Sequence, residues 1–97
     1  MTKDQLEAIK YEIRMSFHYV NYPENISVGL WRDGAGDIQF IDDMGLDHLK
    51  ASIRKLQNDI ARLSRSGRES EVIGALVPLA EQKLAELKSA FQLKVNA

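Results

Sequence analysis

The sequence predicts an α+β fold, mostly α, with an N-terminal helix, a β-hairpin and an antiparallel helical hairpin whose last helix is kinked. Three observations carry that expectation. The first segment has a helix-capping pattern followed by apolar residues at helical spacing. A short alternating stretch surrounds a glycine-rich turn. A heptad seam is then followed, after a Ser-Gly break, by a second apolar stripe.

The N-terminal helix is expected over 1–22. Thr2 and Gln5 have the spacing at which a Thr hydroxyl accepts from the N3 amide and a Gln side chain reaches back to the cap. Leu6, Ile9, Ile13, Phe17 and Val20 recur at steps of three or four. Asn21, Tyr22 and Pro23 end the pattern, because proline disfavours helix in the residue before it.

The hairpin is expected over 26–42. Ile26, Val28 and Leu30 alternate with Ser27 and Gly29, and Ile38 and Phe40 flank Gln39. The turn is Asp33-Gly34-Ala35-Gly36, where glycine permits positive φ. This alternation puts Trp31 on the face opposite Val28 and Leu30, either covered by another element or exposed at an interface. A two-stranded hairpin is marginal alone, so its apolar face must rest on helices.

The third element is expected over 45–65. Leu46, Leu49, Ile53, Leu56, Ile60 and Leu63 form the heptad seam. Gly45 is the N-cap, and Asp47 complements the helix dipole. The fourth is expected over 69–95, with Ile73, Leu76, Ala80, Leu84, Leu87 and Phe91 as its stripe. Pro78 lies inside it and removes a hydrogen bond to Gly74, which predicts a kink or short break near 74–78. The short connection favours an antiparallel pair, and residues 1–97 read as one domain.

The composition bounds the function classes. There is no cysteine, which excludes disulfides and thiolate metal sites. The N-terminus carries acids early and no apolar run, unlike a signal peptide. No stretch reaches the roughly 18–20 apolar residues of a membrane span. The expected location is the cytoplasm. The net charge of −1 hides a dipole. Residues 1–49 hold four basic groups against nine acids, and residues 50–68 hold six against Asp59 alone.

No residue pattern points to catalysis. The serines lie outside any nucleophile elbow, and the glycine-rich turn lacks the lysine of a phosphate loop. Asp42, Asp43, Asp47 and His48 cluster where hairpin meets helix, as ligands for a hard cation or as acids favouring a helix N-terminus. The second reading is preferred, so neither a metal nor a cofactor is expected. His18 is the remaining histidine.

Three partner readings stay open. The leading one is a homo-oligomer that also engages a host protein through its helical surface, with Trp31, Tyr22, Val72 and Leu79 as contacts. Tyr11, Tyr19 and Val95 are further candidates. The second is binding of nucleic acid or another polyanion by Lys50, Arg54, Lys55, Arg62, Arg65 and Arg68, a basic stripe off the apolar seam. The stripe has no interleaved aromatics for base stacking. The third is a small-ligand sponge at a subunit interface.

From Leu30 onward the chain reads L-W-R-D-G-A-G-D-I-Q-F-I-D-D-M-G-L-D-H-L-K-A-S-I-R-K-L. This stretch resembles a pattern in small bacteriophage and prophage proteins, carried by Trp31, Asp33, Gly34, Ile38, Ile41, Asp43, Met44, His48, Leu49, Ile53 and Leu56. Ala35 and Gly36 lengthen the turn, and Gly45 replaces the usual Ser or Thr cap. The resemblance implies a phage accessory protein and transfers no chemistry. Physically, Met44 and Leu49 would pin the hairpin to the helix, and His48 would bond back to the hairpin backbone.

Overall fold

The computed structural model describes all of residues 1–97. The order is α1 (Lys3–Met15), β1 (Leu30–Arg32), β2 (Ile38–Phe40), a 3₁₀ turn (Ile41–Asp43), α2 (Leu46–Ser64) and α3 (Ser70–Val95). The α+β, mostly α architecture is the one expected. α2 and α3 pack along each other, and α3 sets the long axis of a molecule measuring 46 × 23 × 20 Å.

The capping box of α1 is complete. Thr2 Oγ1 accepts from the Gln5 amide at 3.1 Å, and Gln5 Oε1 accepts from the Thr2 amide at 2.8 Å. The helix ends at Met15, seven residues before the expected boundary. The amides of Ser16 and Phe17 both donate to the Glu12 carbonyl, and Ser16 leaves the helical region. Phe17 and Val20 are buried, but they reach the core from an irregular segment, together with Tyr19. The buried face of α1 is Gln5, Ile9 and Glu12. The Gln5 side-chain Nε2 donates to Glu69, and Glu12 accepts from two arginines.

The hairpin is shorter than expected, and its faces are reversed. Leu30 pairs with Phe40, Trp31 with Gln39 and Arg32 with Ile38 in antiparallel register. Trp31 is buried, whereas Ile38 and Phe40 face solvent. Side chains alternate with a period of two, so burying Trp31 turns Ile38 and Phe40 outward. The large indole, stacked on Tyr19 at 4.8 Å between ring centroids, takes the inward position.

In the turn, the Asp33 carboxylate accepts from the amides of Ala35 and Asp37. Only Gly36 of its two glycines has positive φ. Gly34 meets a different demand, since a Cβ there would lie 3.3 Å from His18 Nε2. Met44 and Leu49 are buried in the common core. His48 turns to the Gln39 side chain, 3.4 Å from its Nδ1, and not to the hairpin backbone.

Leu49, Leu56 and Leu63 of the seam are buried, with Ile53 and Ile60 packed at their edge. Leu46 at its start is exposed. On α3 the buried line is Val72, Leu76, Ala80, Lys83, Leu87 and Ala90. Ile73, Leu84 and Phe91 flank it, so the expected stripe is off by one residue at three positions. α3 runs unbroken through Pro78. Gly74 and Pro78 both lie on its exposed side, where water can satisfy the carbonyl that loses its partner.

Candidate interaction surface

The surface begins with a buried lysine. Lys83 has no solvent exposure, and its Nζ donates to the carbonyls of Ser27 at 2.8 Å and Leu30 at 2.9 Å. Its charge is met by Glu86, 3.2 Å away. Glu86 in turn accepts from the Gly29 amide. The pair holds the 27–30 segment against α3 where no regular secondary structure could. Asn25 adds a bond from its amide to the Leu79 carbonyl at 3.0 Å. Lys83 and Glu86 escape sequence reasoning because a lysine three residues from a glutamate on a helix reads as a solvated pair.

A second anchor is Tyr19, on which Trp31 stacks. The Tyr19 hydroxyl donates to Asp59 at 2.8 Å, and Lys55 Nζ donates to the same carboxylate at 2.7 Å and to the Ser16 carbonyl at 3.0 Å. Burial, with the Asp59 carboxylate beside it, pushes the Tyr19 hydroxyl well above the ordinary phenol range. The phenol is thus harder to ionise folded than unfolded. Its contribution to stability is whole below about pH 10 and is lost as pH rises beyond that value. In an alkaline absorbance titration, Tyr19 is expected to withhold its tyrosinate signal until the protein unfolds. Tyr19→Phe should remove that delayed step. A delayed step unchanged in the variant would refute the assignment.

These anchors fix what the hairpin presents outward. Ile38 is 60% exposed and Phe40 63% exposed, with Ile26 at 79% and Val28 at 72% on the preceding segment. Their exposed parts sum to roughly 500 Å², against the about 300–600 Å² typical of the largest apolar patch on a monomer. A second, shallower surface lies on the open side of the helical pair. Ile53, Ile60, Leu84 and Phe91 are half-buried along it, and Lys50, Arg54 and Lys88 stand at its margins with one acid, Glu81.

The residues expected at a partner surface divide. Trp31 and Val72 are core residues, because the first stacks on Tyr19 and the second lies on the buried line of α3. They are not available to a partner. Tyr22 is half-buried with its hydroxyl near Met1 Sδ, and Leu79 packs partly against the core. Alternation alone hides the outward hairpin residues, because it sets Ile38 and Phe40 toward the helices and leaves the place of Trp31 open.

The basic stripe is partly consumed within the molecule. Arg62 and Arg68 both pair with Glu12, at 3.1 and 2.7 Å, and Lys55 pairs with Asp59. Lys50, Arg54 and Arg65 are exposed and form no ion pair. Asp42, Asp43 and Asp47 are exposed around the start of α2, and no group of three His, Cys, Asp or Glu side chains is placed to hold a metal ion. No helix is long and apolar enough to cross a membrane. Comparisons with protein-family models, with curated proteins and with solved structures return no match.

Proposed function

We propose that this chain is a non-catalytic interaction protein that self-associates through the outer face of its hairpin and engages a host protein through the open side of α2 and α3. The observation that carries the reading is the exposure of Ile38 and Phe40 on a sheet face held rigidly from behind by Lys83 and the Trp31–Tyr19 stack. Two such faces opposed would bury about 1,000 Å², the lower limit for a specific interface. The heptad seam supports no association of its own, because Leu49, Leu56 and Leu63 are spent inside the molecule. The likeness of residues 30–56 to small phage proteins supports an accessory role directed at a host protein. Three cations against one acid, Glu81, at the margin of the helical groove favour an acidic partner segment.

The polyanion reading keeps Lys50, Arg54 and Arg65 as free cations. It requires steep salt dependence. Size-exclusion chromatography with light scattering separates the readings. The expected wild-type mass is that of two or more copies, insensitive to salt. Ile38→Thr combined with Phe40→Ser should give a monomer with unchanged helical circular dichroism. A strictly monomeric wild type at high concentration would end the self-association reading. Nucleic acid co-eluting at low salt and released at high salt would favour the polyanion reading instead.

A further inference from the structure

Residues 1–49 carry only four basic side chains among nine acids, and three of the four converge on one cleft. Lys10 and Arg14 lie one turn apart on α1, and Arg32 ends β1. With Ile13, Val20 and Tyr22 they line a cleft of about 300 Å³ that has no acid in its walls. None of the three forms an ion pair, since those of the molecule involve Lys55, Arg62, Arg68 and Lys83. Arg14 stands 5.6 Å from the Tyr11 ring, which orients the guanidinium without occupying its N–H groups.

Arg14 has an ordinary explanation, since in the last turn of α1 it favours the helix dipole, while Lys10 lies one turn before it. That explanation does not reach Arg32. Its Nε is the one buried side-chain nitrogen or oxygen of the molecule without a hydrogen-bond partner. A donor on a charged group, stripped of water and unpaired, carries its full desolvation penalty. Arg32 lines this cleft, and no group within the molecule satisfies its donor.

We propose that this cleft binds the phosphate of a small phosphomonoester, a molecule about the size of a mononucleotide. Guanidinium groups match phosphate oxygens in paired, charge-assisted hydrogen bonds, and Lys10 adds a point charge. A phosphomonoester dianion balances three cations better than a carboxylate does. The cleft reaches the lower end of the range for small-molecule sites, and its remaining walls are the apolar side chains of Ile13 and Val20, the ring of Tyr22 and the polar Asn21. These suit a compact organic body behind the phosphate. A polymer is disfavoured because the acid excess of this half repels a long polyanion, while a small dianion meets only the cleft.

The test is calorimetric titration of the full chain with adenosine 5′-monophosphate, ribose 5-phosphate, inorganic phosphate, adenosine and a short single-stranded oligonucleotide without a terminal phosphate. Saturable binding of a phosphomonoester is expected, with inorganic phosphate weaker and adenosine silent. Lys10→Gln with Arg14→Gln changes two exposed residues, and its folding is checked by circular dichroism. It should weaken binding by about tenfold per cation removed. Lys3→Gln, the fourth basic residue of this half, should leave binding unchanged. The proposal is overturned if none of the phosphates binds at millimolar concentration, or if the double variant binds as well as wild type. Equal weakening by Lys3→Gln, or an oligonucleotide bound where the phosphomonoesters are not, would also overturn it.

Discussion

Lys83→Met is expected to lower the thermal midpoint by about 20 °C, from a loss of about 3–5 kcal/mol in a domain where each kcal/mol is worth about 4–8 °C. The side chain is wholly buried, and methionine matches its length without its charge. Two carbonyls, of Ser27 and Leu30, then lose their donor, and the Glu86 carboxylate loses its counter-charge. Replacing a whole buried ion pair by apolar groups is often neutral, but removing one member leaves the other uncompensated. Backbone carbonyls cannot be mutated away, so the segment must open to water. The loss is a large share of the stability of a chain this size. Thermal melts followed by circular dichroism would measure it. A midpoint within a few degrees of wild type would show that Lys83 does not hold the hairpin. Glu86→Gln retains an acceptor for the Gly29 amide and should cost less.

The same residue shows where sequence reading stops. The periodicity of α3 places Leu76, Ala80 and Leu87 correctly, because three apolar residues at helical spacing leave little freedom. It misplaces three others by one position: Leu84 is chosen over Lys83 because a lysine counts as polar, and Ile73 and Phe91 are chosen over the smaller apolar Val72 and Ala90. Lys83 is inside because carbonyls more than fifty residues away in sequence converge on it. No local pattern holds that information. The N-terminus of α1 was legible for the opposite reason, as Thr2 and Gln5 bond within three residues. Its C-terminus was not. Phe17 and Val20 fit helical spacing by coincidence, and Tyr19 between them, buried off the stripe, was the sign that the segment is irregular. The basic stripe was legible as charge, but its pairing with Glu12 across the helices was not. The outward hairpin face was hidden by a choice between two alternations, and a single residue decides it.

That residue is Trp31, and the reversal of the hairpin faces makes an opposed pair of expected results. If Ile38 and Phe40 were the core face, as alternation alone suggests, Phe40→Ser would be severe and Trp31→Ala mild. In the structure the order is inverted. Trp31→Ala removes an indole stacked on Tyr19 within the core and should cost about 3–5 kcal/mol. Phe40→Ser removes a ring that is already mostly in water and should change stability by no more than about 0.5 kcal/mol. Denaturant titrations of both variants, at concentrations where the protein is monomeric, give the two free energies directly. The low concentration matters, because association through the hairpin face would itself stabilise the wild type by mass action. At high concentration Phe40→Ser should therefore seem destabilising, while at low concentration it should not. A cost for Phe40→Ser that is large and independent of concentration would place the ring in the core and remove the exposed face on which self-association rests. A concentration-dependent cost would tie that face to a second copy of the chain.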